Sequence, residues 1–232
     1  APVVVTEPVA GGDLPTSRSM FFVSPDGERS MNTFLGISTD LGPSDVPEAV
    51  AQAARIMFLE GYLFDKDAGK EAFLQASRLT RAAGGMAGIA ISDPFCVERH
   101  RADFLRMIGD ELDYVIGNEA EIRSLFETED TELAISQTAE MCPIVVCTRS
   151  GDGCSLIREG QRGDVPVTHV VPVGATGAGD QFAAGFLYGL ATGRDLEICG
   201  RMGHICAGEV ISHVGPRPQT DIAALFKNAG LA

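Results

Sequence analysis

Basic residues are scarce in this chain. Eighteen Lys and Arg stand against 32 Asp and Glu, giving a formal net charge of −14 over 232 residues. Affinity for a nucleic-acid backbone comes chiefly from cations that displace counterions, so this balance argues against a nucleic-acid partner. Small phosphate-bearing ligands stay open, because loop amides, helix N-termini and Mg²⁺ hold phosphate without a basic surface. No apolar run approaches the roughly 20 residues that span a bilayer. The start, APVVVTEPVAGGD, lacks the basic opening of a signal peptide, so no membrane partner is expected and the expected compartment is the cytoplasm. Six cysteines, at 96, 142, 147, 154, 199 and 206, include no C-x-x-C pair and no His at zinc-finger spacing. Several lie in apolar stretches such as VVCTR and HICAG, which suits reduced, buried thiols.

What is present is an ordinary globular balance, 45% hydrophobic and 22% charged, in a chain long enough for one large α/β domain or two small ones. Residues 20–36, MFFVSPDGERSMNTFLG, read as two short strands around Pro25-Asp26-Gly27, since Asp-Gly accepts the positive φ angles of a tight turn. From Pro47 onward apolar bursts alternate with helical stretches: RIMFLEG then 66–83, MAGIAIS then 97–109, DYVIGN then 119–126 and 131–141, and PIVVCT. Strands apolar on both faces and separated by helices require a mostly parallel sheet covered on both sides, an α/β layered fold. SGDG makes a tight turn into a strand at CSLIRE, HVVPV reads as a further strand, and 180–193, 195–213 and 220–228 read as closing helices.

Between HVVPV and the first of those helices lies Gly174-Ala175-Thr176-Gly177-Ala178-Gly179-Asp180. A dinucleotide fingerprint needs a third glycine where Phe182 stands, and a Walker loop needs a lysine where Asp180 stands. A third chemistry fits. Small residues 177–179 let successive amides point into one concavity at a helix start, a cradle for charge developing on a transferring phosphoryl group. An acid beside that cradle makes sense as the base that takes a proton from an attacking alcohol. The alternative is that Asp180 merely caps the helix.

Thr176-Gly177-Ala178-Gly179-Asp180-x-Phe182, running on through Ala184-Gly185-Phe186-Leu187, resembles the second signature of the ribokinase-like (PfkB) carbohydrate kinases. Asn118-Glu119-Ala120-Glu121 resembles the family's N-x-x-E element, and Val145–Thr148 with Gly151 and Gly153 its nucleotide-loop strand. Arg201–Gly208 is similar to the late helix that borders the adenine. The resemblance implies a three-layer α/β/α sandwich with a small β lid, one domain over 1–232 with the lid hairpin at 20–36 and the catalytic core at 45–232. It implies ATP and Mg²⁺, with Asp180 as base and the amides of Gly177, Ala178 and Gly179 as anion hole. Asn118 and Glu121 would organise Mg²⁺ largely through water, although Asn followed by an acid three residues on is also a capping box. Thr148, Gly151 and Gly153 would approach the nucleotide, although Asp152-Gly153 is also a plain turn pair. His204 and Ala207 would border the adenine; a lone helical His is as often a core or surface residue.

FFVSPDGERSMNTFLG, LEGYLF, SDPFCVERHR and the late RMGHICAG most resemble the bacterial adenosine-kinase-like branch, which implies adenosine 5′-OH as acceptor, with another furanose or related sugar, or noncatalytic nucleoside or nucleotide binding, as alternatives. Lid hairpins of this family can pair across a homodimer. Members carry an acid where Gly174 stands, a departure that counts against a monovalent-cation site. The family's early substrate-binding Asp and Gly-Gly-Asn element find no counterpart, so an N-terminally incomplete piece, weakly active or inactive by itself, is the expectation.

Overall fold

A computed structural model describes residues 13–23 and 29–231. β1 (Arg18–Val23) and β2 (Arg29–Phe34) pair antiparallel, with Met20 opposite Asn32. They are the strands expected in residues 20–36; the Pro25-Asp26-Gly27 turn lies outside the described residues.

The main sheet has six strands in chain order: β3 (Ile56–Glu60), β4 (Met86–Ala90), β5 (Tyr114–Asn118), β6 (Ile144–Thr148), β7 (Cys154–Arg158) and β8 (Gln161–Val165). The first four run parallel and the last two antiparallel. α1 (Glu48–Ala53) precedes the sheet; α2 (Asp67–Ala82), α3 (Pro94–Glu111), α4 (Glu119–Phe126) and α5 (Thr131–Met141) alternate with the parallel strands. α6 (Ala178–Ala191), α7 (Leu196–Ile211) and α8 (Ile222–Asn228) close the chain.

Side chains alternate across each strand, and in β4 to β7 both faces are buried. Val115, Val145 and Cys147 join a core with Phe73, Phe104, Ile122 and Ile135 of α2 to α5. Tyr114, Ile116, Ile144 and Val146 join the opposite core with Phe182 and Phe186 of α6 and Cys199 of α7. The result is the expected α/β/α sandwich. Tyr114 crosses its neighbour strand, where a Cβ on Gly88 would sit 2.3 Å from the ring, and its hydroxyl donates to the Met57 carbonyl at 2.7 Å. All six cysteines are buried and unpaired, and burial pushes their thiols up to about 11 or 12. Among the described residues no helix is long and apolar enough to cross a membrane.

Two expectations are corrected. HVVPV forms no strand; Val171 and Val173 are 87% and 53% exposed, and Pro172 has no N–H to give a ladder. The last strand is instead β8, QRGDV, joined to β7 by Glu159 and Gly160 at φ +50° and +77°, the left-handed pair of a two-residue hairpin. The glycine-loop helix also starts two residues earlier than expected, at Ala178, so Asp180 stands inside its first turn.

Candidate active site

In an open α/β sheet, ligands bind outside the carboxyl ends of the parallel strands. Here those ends carry Glu60, Asn118 and Thr148, one from each of β3, β5 and β6.

The start of α6 faces the same region. Its N-cap is Gly177 at φ +83°, a left-handed conformation at which a Cβ would also lie 2.9 Å from Pro216 Cβ. Gly177, not Asp180, is therefore the cap. Of the three cradle amides, that of Ala178 already makes a long turn bond to Ala175 O at 3.3 Å. Gly179 lies in the first turn, where amides have no partner inside the helix, and a Cβ there would meet nothing within 4 Å. Asp180 is exposed, and among the described residues its carboxylate enters no hydrogen bond or ion pair.

Asn118 and Glu121 form a reciprocal cap on α4. Asn118 Oδ1 accepts the Glu121 N–H at 2.9 Å, and Glu121 Oε2 accepts the Asn118 N–H at 2.9 Å. Asn118 Nδ2 also donates to Glu121 Oε1 at 2.6 Å. Burial pushes the Glu121 carboxyl up to about 7, against the Asn118 bond, and the charges of Glu60 and Asp93 add to the rise.

Sequence reasoning did not single out Glu60. Burial raises its pKa, the Ser92 hydroxyl that donates to it opposes the rise, and repulsion from Asp180 adds to it. Ser92 stands at φ +74°, uncommon for a non-glycine residue, and its Oγ accepts the Gly61 N–H at 3.0 Å. The available signal was an acid closing an otherwise apolar strand, at the carboxyl end where Asn118 and Thr148 close theirs.

A cavity of about 510 Å³ lies against the carboxyl ends of β5 and β6 and the start of α6. Asn118, Thr148, Gly151 and Gly153 line one side, and Ala178, Gly179, His204 and Ala207 the other. The turn after β6 is closed by Arg149 N–H to Gly153 O at 2.8 Å. His204 Nε2 lies 3.3 Å from Val165 O and its ring meets Phe182 edge-on at 5.2 Å; burial lowers its pKa, so it stays neutral at pH 7. Gly177, Asp180 and Glu121 stand outside the lining.

The residues fit a nucleoside triphosphate. The cavity is large enough, glycines bring backbone close on one wall, and helix-start amides face the other. Among the described residues no three His, Cys, Asp or Glu side chains are grouped to hold a metal directly. The oxygen donors of Asn118 and Glu121 suit Mg²⁺, which keeps most of its waters and takes few direct carboxylates.

A mostly parallel sheet with helices on both faces, a nucleotide-sized cavity at its carboxyl edge and an acid one residue past a glycine cradle define a ribokinase-like phosphotransferase. The chain belongs to the pfkB family of carbohydrate kinases, enzymes that transfer phosphate to a hydroxyl group, with residues 6–223 matching the family profile. An uncharacterized sugar kinase of Archaeoglobus fulgidus is 28% identical over 218 residues, 92% of this chain and 84% of that protein. A probable sugar kinase of Rhizobium etli CFN 42 superposes with a TM-score of 0.94 at 42% identity, over 98% of this chain and 69% of that one. The adenosine kinase of Sinorhizobium meliloti superposes with a TM-score of 0.90 at 41% identity, over 93% of this chain and 66% of that one.

Proposed function

We propose that this protein transfers the γ-phosphoryl group of ATP to a primary hydroxyl of a ribose-bearing acceptor, with the 5′-OH of adenosine as the leading substrate. Asp180 carries the reading: an exposed carboxylate with no hydrogen bond or ion pair among the described residues, in the first turn of a helix whose opening amides favour an anion. Asp180 takes the hydroxyl proton as the alcohol oxygen bonds to the γ-phosphorus and the bond to the ADP oxygen breaks. The amides at Gly177, Ala178 and Gly179 face the charge on the transferring group. Asn118 and Glu121 hold Mg²⁺ through water; when bound, the ion neutralises charge on the phosphate oxygens. Thr148, Gly151 and Gly153 receive the phosphates and ribose of ATP, and His204 and Ala207 border its adenine. Gly174 offers no carboxylate, so no potassium requirement is proposed.

Glu60 supplies an acceptor for a second hydroxyl of the bound sugar. Two exposed aromatic rings, Tyr62 and Phe95, stand two residues beyond Glu60 and Asp93, which supports an acceptor carrying a flat base. The β1–β2 pair, with Met20 and Phe22 60% and 66% exposed, would close over that acceptor as a lid on a single core domain. The likeness to the Sinorhizobium adenosine kinase supports the same choice. The test is a panel of nucleosides and free furanoses with Mg·ATP, using the protein made from its complete reading frame. Adenosine is expected to give one phosphorylated product per ADP. No product from adenosine removes that substrate; a sugar turned over in its place favours a furanose kinase, and ATP binding with no turnover at all favours a noncatalytic member.

A further inference from the structure

Glu209, near the end of α7, lies outside the nucleotide cavity, and its side chain is only 5% exposed. Burial raises its pKa, but the bonds it accepts outweigh that and hold the carboxyl below its usual range. Oε1 accepts the Gln219 and Thr220 N–H groups, each at 2.8 Å, and Oε2 lies 3.3 Å from His213 Nε2. One buried carboxylate thus fastens both ends of the loop that follows α7.

The middle of that loop touches the catalytic segment. Pro216 fills the space beside Gly177, and its carbonyl accepts from Gln181 Nε2 at 3.4 Å. On the other flank, the Val173 N–H donates to Ile211 O at 2.8 Å, two residues beyond Glu209. Residues 173–181, which contain the cradle and Asp180, are therefore held between two segments that Glu209 ties together.

We infer that Glu209 is a positioning residue: through Pro216 it sets the placement of the Gly177–Gly179 amides and of Asp180. The inference rests on the kinase reading for its kinetic consequence, and on structure alone for its physical one. A cradle displaced by about 1 Å costs on the order of 10² in rate without weakening acceptor binding.

Glu209→Ala is expected to lower kcat about 10² and leave the acceptor KM within about threefold. Glu209→Gln, which keeps an oxygen for the two loop amides, is expected to restore most of the loss. Hydrogen exchange gives a readout that needs no acceptor: amides of residues 174–182 are expected to exchange at least about tenfold faster in Glu209→Ala, while β5 keeps its protection. Unchanged exchange across 174–182 in the folded variant overturns the inference whatever the enzyme phosphorylates. If Glu209→Ala does not fold, Pro216→Gly reads the same contact from the other side, and unchanged exchange there overturns it equally. Accelerated exchange with no activity toward any acceptor supports the positioning role and counts against the kinase reading instead.

Discussion

Asn118 and Glu121 close a ring on one another, each accepting the other's backbone N–H at 2.9 Å. The capping box and the candidate Mg²⁺ site are the same two side chains, so the local signal and the catalytic one are a single feature. Structure and chemistry meet in the protonation of Glu121, whose pKa burial lifts from 4.5 to about 7. A carboxyl raised on folding contributes stability that is full below about 4.5 and is lost as pH rises through about 7. Glu121→Gln has no charge to desolvate, so its melting temperature relative to the parent is expected to rise between about pH 5 and about pH 8. The same titration predicts that the apparent affinity for Mg·ATP weakens as pH falls below about 7, because the protonated carboxyl no longer favours the cation. A melting-temperature difference that stays flat with pH removes the first claim, and a flat Mg·ATP affinity the second.

Asp180→Asn keeps size and removes the base. Since the side chain is exposed and, among the described residues, enters no hydrogen bond or ion pair, the melting temperature is expected to stay within a degree or two, while kcat falls about 10² to 10⁴. Turnover within a few-fold of the parent would show that another group takes the proton.

Glu60→Gln separates binding from chemistry. In the proposed role the variant loses an acceptor for the substrate hydroxyl, and it also removes the repulsion that Asp180 exerts on Glu60. The acceptor KM is expected to rise about tenfold, with kcat little changed, since one hydrogen bond to a charged group is worth about 1.5–3 kcal/mol. Steady-state kinetics with the acceptor varied at saturating Mg·ATP measures the split; a fall in kcat at constant KM would place Glu60 in the chemical step instead.

The strands that apolar runs announce are the ones that contribute side chains to both cores. β3 to β6 and β7 stand where RIMFLEG, MAGIAIS, DYVIGN, PIVVCT and CSLIRE put them, because each must fill two cores at once. β8 escapes that logic: in QRGDV only Val165 is buried, and what fixes the strand is the left-handed pair at Glu159-Gly160. HVVPV misleads for the converse reason, an apolar run left on the surface with Pro172 interrupting any ladder. The glycine loop was legible because its chemistry is written in consecutive residues. Glu60 and Glu209 were not, since each gains its meaning from partners far along the chain: Ser92 and Asp180 for one, the loop ending at Thr220 for the other.

Gly153 tests whether the turn after β6 serves the nucleotide or only the fold. It sits at φ +90°, ψ −137°, a combination essentially reserved for glycine, and a Cβ would lie 2.1 Å from the Val165 carbonyl. Neither obstacle yields to a side-chain rotation, so Gly153→Ala must shift either the turn or the end of β8. Backbone strain alone costs about 1–3 kcal/mol. Because Gly153 lines the cavity together with Thr148 and Gly151, the shift is expected to raise the KM for ATP several-fold more than that for the acceptor. Gly160 supplies the control: it too has a left-handed φ, +77°, but a Cβ there meets nothing within 4 Å and it does not line the cavity. Gly160→Ala should therefore cost only about 1 kcal/mol of stability and leave both KM values unchanged. Equal effects of the two variants on the KM for ATP would mean that the turn acts through stability and not through contact with the nucleotide.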